Sequence, residues 1–265
     1  MEIMEKVLNG RKKDLTFLPF SSILYVDRER ERNHTMKNIL ILDTETALNI
    51  QQPLIYDLGF VALVNGEVVK ENYLIKEVFD TYALMQSAYY VKKRPKYYKL
   101  RNDGHIKPIS FQKAIRQLMK FIKKNKIEVI SAYNVSFDIR AIENTLRILD
   151  TELYEKGTFQ KLVKQKNKKI LCLWNLACDN ILNTDEFREF ADTHNMKTPK
   201  GNYQTNAEVA YAFITNQPEF KEEHLALSDS EIELAILLKI LELENPKIEF
   251  GKKASCWRKV QVKKT

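Results

Sequence analysis

Cysteine is scarce in this chain. Three occur in 265 residues, at Cys172, Cys178 and Cys256, an odd count with no CxxC pair. That argues against a disulfide framework or a cysteine-held zinc and points to a reducing compartment. Histidine is nearly as rare, with four, at positions 34, 105, 194 and 224. Glycine and proline number seven each, which excludes a collagen-like chain, and no glycine/serine linker or internal repeat divides the sequence. No apolar run approaches the ~20 residues of a membrane helix. The early apolar segment 15–26 is too short to span a bilayer. It follows Glu2, Glu5 and Asp14 and no small-residue cleavage site comes after it, so no signal peptide is expected.

What remains is a globular composition, 44% hydrophobic and 29% charged, long enough to bury a sizeable core. Lys+Arg of 43 against Asp+Glu of 35 gives +8, an excess that favours polyanionic partners. Three regions are expected: an N-terminal extension over 1–35, a domain over 36–245 and a basic C-terminal tail over 246–265. The run DRERERN (27–33) can be encoded largely by purine codons and stands just before Met36. It reads as a translated ribosome-binding site with Met36 as the physiological start, or else as a genuine partner-binding arm.

Periodicity is regular from Met36 onward. The apolar run 37–43 predicts a buried central strand. The stretches 54–64 and 67–75 predict two strands joined at Asn65-Gly66, a hairpin signal. Helices are expected over 80–90, 109–125, 136–149, 185–194, 204–215 and 225–243, with strand-to-helix passages starting at 128 and 169. Three leading strands followed by alternating strands and helices indicate an α/β fold with a central mixed β-sheet flanked by helices.

Three acidic elements stand out. In ILDTET, Asp43 and Glu45 lie at i and i+2 of a strand, so both side chains leave one face. Paired carboxylates repel each other unless a cation lies between them, and hard divalent ions prefer oxygen ligands. In SAYNVSFDIRAI (131–142), Asn134 ends a strand, Ser136 is the expected N-cap and Asp138 falls in the first helical turn. In EEHLALSDSEIELAILLKIL (222–241), Asp229 shares a helix face with Ile232, Ile236 and Ile240, and His224 precedes it by five residues. A carboxylate on an apolar face is costly unless it is paired. Taken singly, each has an ordinary alternative: solvated acids at a strand end, a helix-dipole acid, a surface histidine.

Taken together, the order D-x-E, N-x3-D, H-x4-D resembles the three motifs of the DEDDh 3′–5′ exonucleases, the DnaQ-like family that includes polymerase proofreading subunits. Asp43, Asp138 and Asp229 are separated by 95 and 91 residues, so the resemblance covers most of the chain after Met36. It implies a ribonuclease H-like fold. Asp43, Glu45, Asp138 and Asp229 would bind two divalent ions, Mg²⁺ or Mn²⁺, and His224 would be the general base. Thr46 matches the position that contacts the 3′-terminal nucleotide. No tyrosine lies in 221–233, so the histidine version of the third motif applies. Tyr133 stands where many relatives carry histidine, and Ala47, Leu48 and Asn49 stand where a Thr-Gly pair is common. Asp57, in a strand that matches only loosely, is read as non-catalytic.

Between 91 and 127 there are thirteen Lys and Arg against the single Asp103, a local +12 that exceeds the +8 of the whole chain. Tyr89, Tyr90, Tyr97 and Tyr98 are interleaved with it. Bases alternating with aromatics suit a single strand through phosphate contacts and base stacking. Lys92, Lys93, Arg94, Asn134 and Thr46 are the expected substrate contacts. The expectation is a metal-dependent 3′–5′ exonuclease on single-stranded DNA, in replication, repair or proofreading. It would be free-standing or paired in trans with a DNA polymerase or replisome component, in the cytoplasm of a bacterium or encoded by a phage. An exoribonuclease of the same family is the nearest rival, and a catalytically inactive nucleic-acid-binding module is the rival from another class.

Overall fold

The computed structural model describes residues 38–165, 167–251 and 255–261. The expected extension over 1–35 lies outside them. Six strands form one sheet: β1 (Asn38–Ala47), β2 (Leu54–Val64), β3 (Glu67–Ile75), β4 (Pro108–Ile109), β5 (Val129–Ala132) and β6 (Lys169–Cys172). Their spatial order is β4-β3-β2-β1-β5-β6. The β1–β2 and β2–β3 pairs are antiparallel, while β1–β5, β5–β6 and β3–β4 are parallel, so the sheet is mixed as expected. Asn65 and Gly66, at φ 50° and 87°, make the tight β2–β3 turn that their sequence signalled.

The helices are α1 (Lys76–Phe79), α2 (Tyr82–Gln86), α3 (Arg94–Asn102), α4 (Phe111–Lys124), α5 (Val135–Leu149), α6 (Thr151–Glu155), α7 (Thr158–Val163), α8 (Leu173–Asn180), α9 (Asp185–Thr193), α10 (Ala207–Thr215) and α11 (Ala226–Leu241). Every residue of β2 and all but Asp43 of β1 are buried, because helices cover both faces of the sheet. The even residues of β1, Leu40 and Leu42, join a core with Ala114, Leu118, Ala141 and Ile142 of α4 and α5. The odd residues, Ile39 and Ile41, join a second core with Leu176 of α8, Val209 of α10 and Ile232, Ile236 and Ile240 of α11. Alternation along one strand thus assigns a different helical layer to each face.

Three expectations change. Of the helix expected over 80–90 only the short α2 (Tyr82–Gln86) forms, with α1 before it and a 3₁₀ turn, Val91–Lys93, after it. Ser87 ends α2: its hydroxyl donates to Leu84 O at 2.6 Å and accepts from Leu48 N at 3.0 Å, which ties this segment to the end of β1. The N-cap of α5 is Asn134 rather than Ser136, and no side chain caps it. The region read as a tail is partly core, since Cys256 and Val260 are buried beside α8 and Gly251 bridges to Leu171. The three thiols are buried and unbridged.

Gly59 sets the distance between β2 and α11. A Cβ there would lie 2.2 Å from Leu227 N and 2.4 Å from Ala226 C, both backbone atoms that cannot swing aside. Gly59→Ala is therefore expected to lower unfolding free energy by about 2–3 kcal/mol or more, as overpacking does. Urea denaturation of the two proteins checks it, and equal midpoints would refute so tight an approach.

Candidate active site

β1 ends in two carboxylates that face the α11 layer, and the helices on both faces of the sheet bring further acids to the same edge. Glu45, Asp138 and Asp229 are buried, and Asp43 keeps partial exposure. Thr44 points to the α5 layer, where its hydroxyl donates to Asp138 Oδ1 at 2.8 Å, joining strand end to helix start. Tyr56 OH donates to Glu45 Oε2 at 3.5 Å. A register shift between Glu45 and Thr46 leaves Tyr56 as the extra residue of β2, a bulge that re-aims its ring at this edge.

One ligand atom from each of Glu45, His224 and Asp229 lies within 4.8 Å of the others. His224 Nδ1 is 3.8 Å from Asp229 Oδ2 and 3.9 Å from Glu222 Oε2. Asp43 and Asp138 are outside that tight set, yet the charges of Asp138, Glu233, Asp229 and Glu45 all act on Asp43. The structure thus brings the five motif residues to one edge, three in direct reach of a single ion. Among the described residues, three buried side-chain oxygens lack a hydrogen-bond partner, and two of them, Asp229 Oδ1 and Glu233 Oε2, are in this group. Buried oxygens left this way are costly unless something fills the place of a donor, and a hard cation does so. The donor set therefore fits divalent metal.

Burial is the largest influence on each acid. It raises Asp138 to about 7 and Asp229 to about 8, and Glu222 on the rim also rises to about 7. Asp43, Glu45 and Glu233 are pushed well above the ordinary carboxylate range, first by burial and then by neighbouring acids. His224 goes the other way: burial, and then Lys93, hold it below its ordinary value, so the imidazole is neutral at pH 7.

His224 is held from several sides. Its ring stacks on Tyr90 at 3.6 Å and 10°, and its carbonyl lies 3.2 Å from Tyr97 OH, whose single proton is directed chiefly to the nearer Asp57. The backbone there is left-handed, at φ 53°, a conformation that costs energy in a non-glycine residue and persists only when its surroundings impose it. They do so through Asp57. This fully buried carboxylate accepts Tyr97 OH at 2.7 Å and Ala226 N at 3.0 Å, and it also accepts the Asn72 carboxamide. Asp57 stands directly opposite Glu45 in the β1–β2 register and its charge acts on Glu45 and Asp229, while the donors it accepts position the start of α11.

The expected substrate contacts divide. Thr46 is buried, and its carbonyl accepts from Tyr89 N at 3.3 Å. Asn134 ends β5 at the N-terminus of α5, one turn before Asp138. Lys93 is near enough to act on both His224 and Asp229. Lys92 is exposed, and the Arg94 guanidinium lies 5.2 Å from the ring centroid of Tyr82 and 5.9 Å from that of Tyr98.

The tyrosines do not form one platform. Tyr97 is fully buried in the core, Tyr90 lies against His224, and Tyr89 is 79% exposed. Nor do the thirteen bases form one track. Asn38, at the start of β1, binds Asn125 O, so the end of α4 lies at the opposite edge of the sheet. Five strand residues separate Asn38 from Asp43, roughly 17 Å at strand rise. Lys120, Lys123 and Lys124 line a separate cavity with Arg116.

Sequence reasoning missed Glu233, Tyr90 and the role of Tyr97. Glu233 had a signal: it follows Asp229 by four residues on the same helix, hence on the same face. Tyr90 and Tyr97 had none, since their contacts join segments far apart in the chain, 40 residues for Tyr97 to Asp57 and 127 for Tyr97 to His224. Leu48 explains one departure from the motif. It adopts φ 66°, the region that favours glycine, so the turn is made here without one.

A sign follows for the metal-free chain. Between about pH 4, the unfolded carboxylate value, and the folded values of about 7 for Asp138 and about 8 for Asp229, the native state binds more protons than the unfolded one. Stability must then fall as pH rises through that window. Melting in EDTA from pH 4.5 to 8.5 should show a falling Tm, and Mn²⁺ should raise it most at the alkaline end. A Tm that climbs with pH and ignores Mn²⁺ would overturn this account of the acids.

Comparison with protein-family models and with curated proteins finds no match, so what this site does is argued from its own residues.

Proposed function

We propose that this chain is a metal-dependent 3′–5′ exonuclease acting on single-stranded DNA. The observation that carries the reading is the meeting, at one sheet edge, of Asp43 and Glu45 from β1, Asp138 from α5, and His224 and Asp229 from the start of α11. These segments are separated by 95 and 91 residues, and Asp229 Oδ1 is buried there without a partner. The mixed sheet with helices on both faces is compatible with a ribonuclease H-like fold, and the motif order resembles the DEDDh exonucleases.

Asp43, Glu45, Asp138 and Asp229 would hold the divalent ions, two in this reading. When bound, they supply charge neutralisation at the phosphate and a more acidic water. His224, neutral at pH 7, would take the proton of the attacking water. The water oxygen bonds to phosphorus, the bond to the penultimate 3′-oxygen breaks, and a nucleoside 5′-monophosphate leaves. Tyr90 and the Tyr97–Asp57 pair keep the imidazole in place for this transfer. Lys93 attracts the incoming phosphates. Among the described residues no helix is long and apolar enough to cross a membrane.

The test uses 5′-labelled single-stranded DNA and the matching RNA with Mg²⁺, Mn²⁺ or EDTA. The wild type should shorten the DNA from its 3′ end only with metal. His224→Ala should lose about 10²–10⁴-fold in kcat, the range of a general base, and Asp43→Ala should lose at least as much. Strands bound but uncut by the wild type in every metal would refute the enzyme and favour a binding module. Preference for the RNA ladder would assign the exoribonuclease.

A further inference from the structure

We propose that the cavity beside Asn134 holds unpaired nucleobases of a single strand, those that follow the 3′-terminal nucleotide. The inference rests on the exonuclease reading for the direction of the strand, but its observations and its test are its own.

The cavity has a volume of about 810 Å³, within the range of small-ligand sites. Its walls come from the β5–α5 turn at Tyr133 and Asn134, the first turn of α8 at Trp174, the segment 198–206, and Trp257. The chain has two tryptophans in all, and both line this one cavity. Each is only half-buried. Two large aromatic rings left partly open in one hollow give it stacking surface.

Trp174 is held rigidly. Its indole N–H donates to Thr205 Oγ1 at 2.9 Å, and Tyr133 OH donates to Thr205 O at 2.7 Å. With its only donor engaged, Trp174 has a ring face to offer, and every base has a face that stacks on such a ring. Asn202 adds a carboxamide, a group that pairs with base edges as donor and acceptor at once. Among the described residues no carboxylate lines the cavity, Lys200 is exposed at its edge, and Arg258 lies 5.7 Å over the Trp257 ring. The wall is thus aromatic, amide-bearing and positive, while the neighbouring edge of the sheet is acidic.

The two places share a partition. Tyr133 and Asn134 line the cavity, the Tyr133 backbone hydrogen-bonds Glu233, and Asp138 follows Asn134 by one helical turn. A strand whose last phosphodiester is at the carboxylates passes this partition with its next bases, where Trp174 can stack on them. Sequence tolerance follows, because stacking faces rather than a fixed set of base edges dominate the contact.

The two tryptophans make the cavity its own reporter. The full-length chain is titrated in EDTA with 5′-labelled octathymidylate and with an abasic octamer of equal charge, following tryptophan emission and label anisotropy together. Octathymidylate should quench emission in step with anisotropy, while the abasic strand should leave emission unchanged. Trp174→Ala should weaken octathymidylate binding about 5- to 150-fold, the effect of one lost stacking partner. Trp174→Phe keeps an aromatic face and should recover most of it, which separates stacking from misfolding.

Saturating anisotropy with unmoved emission, equal quenching by the abasic strand, or no binding of octathymidylate would each overturn the proposal. A 3′ ladder without quenching would refute the cavity and leave the exonuclease standing. Quenching without a ladder in any metal would do the reverse.

Discussion

The buried carboxylate of Asp57 is the point on which the arrangement of this protein turns. It is fully enclosed and accepts three donors from three places: Asn72 on β3, Tyr97 on α3 and the Ala226 amide at the start of α11. A carboxylate with no exposure is tolerable only when its oxygens are satisfied. Here the donors that satisfy it belong to elements the fold must otherwise align by packing alone. The hydroxyl of Tyr97, its proton directed to Asp57, also lies 3.2 Å from the carbonyl of His224, packed against the segment whose backbone is left-handed. Gly59, two residues along β2, lets α11 approach closely enough for the Ala226 amide to reach Asp57. The position of the histidine thus depends on a carboxylate whose own oxygens are already satisfied.

Against that satisfied acid stand the others. Asp229 and Glu233 lie one turn apart on α11, each with a buried oxygen lacking a partner, and Asp43 feels four neighbouring acids. A hydrophobic core does not gather carboxylates from two helical layers by default, since each is expensive and together they repel. The contrast within the fold is informative: where an acid serves structure, as at Asp57, it is given three donors. Where acids converge on the β1 edge they are left short of donors and open to a cation.

Much of this was legible in the sequence because it is local or periodic. The strands 54–64 and 67–75, the Asn65-Gly66 turn and the apolar face of α11 carrying Asp229 follow from alternation, turn chemistry and helical period. The order of Asp43, Glu45, Asp138, His224 and Asp229 could also be read. What could not be read is contact between distant segments: Tyr90 on His224, Tyr97 inside the core, Lys124 at the far edge of the sheet. Composition made 91–127 look like one basic, aromatic surface, whereas topology distributes it. The β4–α4 passage carries the chain from one edge of the sheet to the other, and the charges go with it. The broken helix over 80–90 was likewise invisible, because Ser87 terminates it through a bond to Leu48, thirty-nine residues away.

The same topology explains why an acidic site and an aromatic cavity can adjoin without interfering. β5 and β6 run parallel to β1, so their ends and the helices that follow open on the edge where Asp43 and Glu45 emerge. α5 begins there with Asn134 and Asp138, and α8 begins there with Trp174 in its first turn. Tyr133, buried and bonded to Thr205, stands between them as a wall. It separates a region crowded with carboxylates from a cavity that none of the described carboxylates lines. An extended polyanion that engages both must place a phosphate against the carboxylates and its unpaired bases against the rings. A duplex keeps its bases stacked on one another and offers no face to Trp174. On the proposed reading, the wall at Tyr133 would select for single strands by geometry, before any contact to sugar or base edge.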